Sequence, residues 1–196
     1  MRVDRAREAA LEALAACRRN GAWVDGALKQ VLRQSALSGR DAAFASRIAY
    51  GVMQNRIYLD RHISRCLTQR IEKLEPLLLD ILRIGAYQLL LMDKVPVNAA
   101  VNEAVEMAKA HRLARAAGLV NAVLRNIDRR RGEPLIFSDP LEGLSVQTSH
   151  PRALVERMTA LLGKEEAERF LRANNEPIPT VIQTNTLKTD AATLRA

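Results

Sequence analysis

Apolar residues recur at intervals of three and four over most of the first 131 positions, the spacing that lines one face of an α-helix. Ala6, Ala10, Ala13, Leu14 and Cys17 form a first stripe, and Asn20-Gly21 supplies its stop. Ala27, Leu28, Val31 and Leu32 form a second. Ser38-Gly39-Arg40-Asp41 has the pattern of a capping box, with an acceptor at the cap and an acid three residues on. It predicts the start of a long helical region with Phe44, Ile48, Val52, Leu59, Ile63 and Leu67 inward, bent near Gly51 or Asn55. Pro76 suits the first turn of the next helix, where its missing N–H is not needed. That helix, to about Met92, is apolar nearly all round, which places it at the centre of a core. Asp93-Lys94-Val95-Pro96 is a turn. Helices are then expected from about Asn98 to Lys109 and from about Ala114 to Arg130, the last burying Val120, Val123, Leu124 and Ile127. No strand pattern competes here, so residues 1–133 are expected to form a compact all-α bundle.

The punctuation then changes, because five of the seven prolines lie in 134–196. Residues 134–148, with Pro134, Pro140 and Gly143, read as a linker. Ser149-His150-Pro151 starts a helix, Gly163 breaks it, and a further helix runs from Lys164 to about Asn174. Glu176-Pro177-Ile178-Pro179 is a rigid turn, and the β-branched run Thr180-Val181-Ile182-Gln183-Thr184 reads as a strand. Asp190 has the character of one more helix cap. One strand cannot bury a sheet face alone. Residues 149–196 therefore read as the truncated start of a small α/β subdomain.

Composition excludes whole classes. In 196 residues, 48% are apolar and 27% charged, ordinary values for a soluble protein. The most apolar stretch, 77–92, is interrupted by Asp80 and Arg83 and falls short of the roughly 18 residues that a membrane span needs. No apolar signal-peptide region follows the first residues. Two cysteines make neither a disulfide framework nor a CxxC pair, so a reducing, cytoplasmic compartment and no membrane are expected. The charge is less ordinary. Residues 1–70 hold 13 basic and 6 acidic side chains, net +7, whereas 71–133 are net +2 and 134–196 net −1. A localised arginine excess is the footprint expected of a phosphate-backbone partner. At 4% aromatic, the chain is not expected to rely mainly on a base-stacking platform.

The motifs for common active sites are missing. No two of the nine glycines stand two apart, so GxGxxG is impossible. Gly21 and Gly26 have P-loop spacing but continue into Ala27-Leu28, where Lys and Ser/Thr are needed. His62, His111 and His150 are scattered, without HExxH or a Cys/His cluster. Cys17 lies on an apolar stripe and Cys66 at the end of an Arg-rich helix, so both read as unreactive thiols. No catalytic residue, cofactor ligand or metal ligand is assigned.

The positive feature is arginine placement. Arg2, Arg5, Arg7 and Arg18 surround the first helix without forming one tidy face. Arg61 and Arg65 stand one turn apart, and Arg47, Gln54 and Arg61 recur every seven residues. Asn121, Arg125 and Arg129 recur at four-residue steps. Bidentate arginine contacts to phosphate, with amide donors beside them, are what shape-based RNA recognition uses. The candidate RNA-binding residues are therefore Arg2, Arg5, Arg7, Arg18, Arg61, Arg65, Asn121, Arg125 and Arg129. The plainer reading is that Arg129-Arg130-Arg131 complements a helix carboxyl end and the rest solvate helix surfaces.

Three segments carry a resemblance. They are Arg83-Ile84-Gly85-Ala86-Tyr87-Gln88-Leu89-Leu90-Leu91-Met92 with Asp93-Lys94-Val95-Pro96, then Asn98-Ala99-Ala100-Val101-Asn102-Glu103-Ala104-Val105-Glu106, and Gly118-Leu119-Val120-Asn121-Ala122-Val123-Leu124-Arg125-Asn126. They resemble the NusB-type all-helical RNA-binding domain. More closely, the chain resembles the version of that domain in bacterial Sun/Fmu-type small-subunit rRNA 5-methylcytosine methyltransferases. Ser149-His150-Pro151 and Asn185-Thr186-Leu187-Lys188-Thr189 support the closer match. The resemblance implies a NusB-like helical bundle over 1–133 and a joining subdomain over 149–196. It also implies RNA, and small-subunit rRNA in particular, as partner. In such enzymes S-adenosylmethionine and two motif cysteines belong to a catalytic domain. Cys17 and Cys66 match neither motif, so that domain is expected outside this chain, as a further partner. Two other readings stay open: a free-standing NusB-like antitermination factor, and a protein-interaction module. Residues 149–196 count against the first of these.

Overall fold

The structure, a computed structural model, describes residues 3–177, 183–190 and 192–193. Among these, ten α-helices follow one another: α1 (Arg5–Asn20), α2 (Val24–Gln34), α3 (Gly39–Gln54), α4 (Arg56–Ser64), α5 (Pro76–Leu91), α6 (Val97–Ala110), α7 (Ala117–Arg129), α8 (Pro140–Thr148), α9 (Arg152–Leu162) and α10 (Lys164–Ala173). The helix ends have local causes. The Asp4 carboxylate accepts from the Arg7 amide at 2.9 Å and opens α1, and Gly21 closes it in the left-handed conformation at φ +63°. Pro76 occupies the first turn of α5, as its sequence position requires.

α5 is the axis of the bundle. Ile81, Leu82 and Ile84 are fully buried on successive faces, and α1, α3, α4, α6 and α7 pack around them. Two glycines let the helices approach. A Cβ on Gly51 of α3 would lie 2.0 Å from the Tyr87 ring, and one on Gly85 of α5 would lie 2.5 Å from Leu124. A helix buried all round must also satisfy its polar side chains internally. The Gln88 amide donates to the Ile84 carbonyl at 3.0 Å, and its oxygen accepts from Arg7 Nε at 2.8 Å. Asp80, only 3% exposed, accepts from Arg18 Nε on one oxygen at 3.0 Å and from Arg83 Nη1 on the other at 3.1 Å. Arg83 also grips Asp60 of α4 bidentately, at 2.7 and 2.8 Å.

The structure departs from the sequence-based expectations in three places. The long helical region, expected to bend near Gly51 or Asn55, is two separate helices divided at Asn55, whose side-chain amide donates to the Gly51 carbonyl at 2.9 Å beside its own backbone N–H at 3.0 Å. Arg47, Gln54 and Arg61 therefore do not share one continuous face. Ser38 is the cap residue of α3 but its hydroxyl makes no cap bond. Gly39 follows it in the left-handed conformation at φ +56°, which turns the cap away from the amides it would serve. Residues 134–148 do not form a plain linker, because α8 takes 140–148, opened by the Asp139 carboxylate on the Leu141 amide at 2.9 Å with Pro140 in its first turn. The same proline that suggests a linker starts a helix. Most of the expected strand, 180–182, lies outside the described residues.

Helices α8 to α10 make a small core of Leu144, Val155 and Leu171 and dock on α4. The Ile57 amide donates to Ser149 Oγ at 3.1 Å, and Gln54 Nε2 donates to the Asn175 carbonyl at 3.1 Å. We expect Gly51→Ala to lower stability by about 1–3 kcal/mol through overpacking against Tyr87. Gly118→Ala, with open space around the new methyl, should raise stability by about 0.5–1 kcal/mol. Urea unfolding midpoints of the two variants check this opposition of sign.

Candidate nucleic-acid interface

The carboxyl ends of α4 and α7 lie side by side, and basic residues cluster there. Arg65, Cys66, Leu67, Thr68, Asn126 and Arg130 line a cavity of about 370 Å³. Arg130 Nη1 donates to the Arg65 carbonyl at 3.2 Å, satisfying a free carbonyl at the end of α4. One carboxylate, Glu133, serves both guanidinium groups, at 3.0 Å from Arg65 and 3.4 Å from Arg130. Arg65 Nη1 is buried without a hydrogen-bond partner among the described residues. A buried donor left unpaired costs about 1–3 kcal/mol, and an incoming phosphate oxygen would supply the missing acceptor. Arg131 pairs at 3.4 Å with the exposed Asp93, and among the described residues Arg129 bonds only to the neutral side chain of Asn126. The cluster therefore holds more positive than negative charge.

The side-chain candidates have different fates. Arg125 donates to Asn121 at 3.0 Å, so both are engaged with each other, while the exposed arginine has no ion pair among the described residues. Arg61 is turned toward α8. Its guanidinium lies 3.6 Å from Glu142 and 5.1 Å above the Phe137 ring, an ion pair and a cation–π contact that hold the C-terminal helices in place. Arg5 donates to the Ser35 carbonyl and ties the start of α1 to the end of α2. Arg18 is paired with Asp80. Arg7 differs most from a surface phosphate contact. It is 8% exposed, bonded to Gln88 and 5.0 Å over Phe44, because the apolar face of α1 turns it into the core. Arg2 lies outside the described residues. The structure thus brings Arg65 and Arg129 to one end of the bundle and leaves Arg125, bonded to Asn121, exposed on the same helix as Arg129. It does not gather the α1 arginines with them. Arg130 and Asn126 join the cluster without having been singled out. The run Arg129-Arg130-Arg131 is the one signal for Arg130, and a helix carboxyl end explains such a run equally well.

Next to this cavity His62 is buried against Tyr58, ring centroids 4.6 Å apart, with Nε2 unpaired. Burial, helped by the Arg65 charge, holds its pKa below the ordinary value. Burial also raises the Cys66 thiol, against the opposing pull of Arg130 and Arg65, so this cysteine is no activated nucleophile.

A family model for the NusB family matches residues 4–129, two-thirds of the way along the chain and spanning α1 to α7. The chain belongs to the NusB family. This NusB-family chain is 34% identical over 196 residues to a probable ribosomal RNA small subunit methyltransferase B of Bacillus subtilis, a match covering 99% of the chain and 43% of that protein. It is 38% identical over 96 residues to a transcription antitermination protein NusB of Bacillus licheniformis, covering 48% of the chain and 74% of that protein. The solved structure of PH0851 superposes with a TM-score of 0.71 at 19% identity, covering 100% of the chain and 44% of that one, a likeness of fold. The chain thus spans under half the length of the methyltransferase relative it matches. The all-helical bundle agrees with the family. No helix among the described residues is long and apolar enough to cross a membrane.

The lowered pKa of His62 carries a sign. The unfolded chain takes up a proton near the ordinary value of about 6.5 while the folded chain resists it, so stability should fall as pH drops below about 6.5. Unfolding midpoints measured from pH 7.5 to 5 check this, and His62→Leu should flatten that part of the profile.

Proposed function

We propose that this chain is the RNA-binding and substrate-positioning region of an S-adenosylmethionine-dependent small-subunit rRNA 5-methylcytosine methyltransferase. The observation that carries the reading is the reach of the similarity. The match to the methyltransferase relative continues through α8, α9 and α10, whereas the match to the antitermination protein takes in 48% of the chain. The docking of those helices on α4 supports the same reading, since residues beyond the bundle are held in a fixed relation to it. In this reading the methyl donor and the catalytic cysteines belong to the part of the relatives that the chain does not span. The chain's own task is to hold RNA through phosphate contacts at the α4–α7 end, with Arg65, Arg125, Arg129 and Arg130 as the contacting residues.

Binding to a small-subunit rRNA fragment across a salt series tests this, with an unrelated protein of equal charge as control. Affinity should fall linearly with salt on logarithmic axes and exceed the control throughout. Arg125→Ala with Arg129→Ala should weaken binding to all sequences alike and flatten the slope by about one unit for each lost contact. Binding no stronger than the control would favour a protein-interaction module instead.

A further inference from the structure

A second cavity, of about 350 Å³, opens among α1, α3, α4 and α5, and its polar lining is Cys17, Arg18, Arg56, Asp80 and Arg83. Its charges are not equivalent. Arg83 spends its donors on Asp60 and Asp80 and belongs to the fold. Arg18 is held by Asp80 through Nε alone, leaving both terminal nitrogens without a hydrogen bond among the described residues, on a side chain 34% exposed. Arg56, in the first turn of α4, is exposed and makes no hydrogen bond or ion pair among the described residues. With Asp80 already engaged on both oxygens, the mouth of the cavity offers guanidinium donors to an anion.

The rim adds a different chemistry. Ala22 and Met53 form part of the wall. Trp23, directly after Ala22, is 88% exposed, and it is the single tryptophan of the chain. One turn before Met53 on α3 stands Tyr50, 41% exposed, and its hydroxyl donates to Asp25 at 2.8 Å, two residues beyond Trp23. That bond ties the loop bearing Trp23 to α3. Asp25 is itself paired with Lys29 at 2.8 Å, so the nearest rim carboxylate is compensated. A tryptophan left almost wholly in water gives up more apolar burial than any other side chain would. Following directly on Ala22 in the wall of an arginine-lined cavity, its uncovered ring is a candidate stacking surface for a flat, anionic ligand.

We infer that this cavity seats one nucleotide of a single RNA strand, its phosphate between Arg18 and Arg56 and its base stacked on Trp23. The site is distinct from the α4–α7 cluster, and the inference rests on the RNA-binding reading by naming where an unpaired nucleotide goes. Asp80 is the positioning residue, because it holds Arg18 through Nε and leaves the terminal nitrogens of the guanidinium to a ligand.

The lone tryptophan makes the test direct. Emission of Trp23 is followed while a single-stranded RNA oligonucleotide, AMP or inorganic phosphate is added, and RNA binding is measured separately from the anisotropy of a labelled strand. We expect RNA to quench Trp23 saturably and Arg56→Ala to weaken that quenching about tenfold. Trp23→Ala should weaken strand binding about tenfold, and Trp23→Phe should restore most of it. Both side chains are exposed, so circular dichroism of the variants should match the parent. Strand binding with unchanged Trp23 emission, or quenching indifferent to Arg56, would overturn the pocket and leave the RNA-binding reading standing. Quenching by AMP that depends on Arg56 and is competed by inorganic phosphate, without strand binding, would uphold the nucleotide pocket and overturn the RNA reading. No strand binding by anisotropy together with no quenching by RNA or AMP would overturn both.

Discussion

A carboxylate taken out of water must be met by cations or it will not stay ionised. Asp80 sits in the middle of a helix that has no solvent face, and the bundle is arranged around that requirement. Arg83, one turn along α5, reaches one oxygen and then extends to Asp60, drawing α4 against the central helix. Arg18 reaches the other oxygen from the far part of α1. Three helices distant in sequence are thereby fixed at one point, with apolar packing of Ile81, Leu82 and Ile84 on either side. Apolar packing alone would tolerate some sliding between these helices. A two-sided ion pair tolerates far less, and it also decides which way the Arg18 fork points.

The same accounting changes the meaning of the chain's basic first third. A net +7 over residues 1–70 suggests a coat of arginine on the surface. Part of it is internal or committed: Arg7 lies over the Phe44 ring, Arg18 is held by Asp80 through Nε, and Arg61 sits between Glu142 and Phe137. What remains available is scattered: Arg33, Arg40 and Arg47 stand exposed on α2 and α3 without a side-chain bond among the described residues, and further donors lie at the paired ends of α4 and α7 and at the cavity bounded by α1 and α4. A ligand with regularly spaced negative charges and some flexibility between them suits such a distribution better than a single compact anion does.

The helices were legible because their apolar residues recur with helical period and because Pro76, Gly21 and Gly163 punctuate them by well-defined chemistry. The centrality of α5 followed from its lack of a polar face. Three features were not legible, for particular reasons. Pro140 marks a linker and a first helical turn with equal force, and only the Asp139 cap beside it tips the balance. The burial of Arg7 depends on Gln88, 81 residues away, which local spacing cannot report. Trp23 counted for little within a 4% aromatic content, yet its place in a turn, off every apolar stripe, was the sign that nothing in the core would cover it.

The break at Asn55 gives α4 two obligations. One side, Leu59 and Ile63, faces the core, while Ile57 and Arg61 face α8. Each added residue turns the rest of a helix by about 100° about its axis. An insertion anywhere within 56–64 would therefore rotate both sides out of register together and detach the C-terminal helices as it exposed the core. The loops at 66–75 and 131–138 carry no such double duty. Over evolutionary time, length variation should collect in those loops, and α4 should keep a constant number of residues even where its sequence drifts.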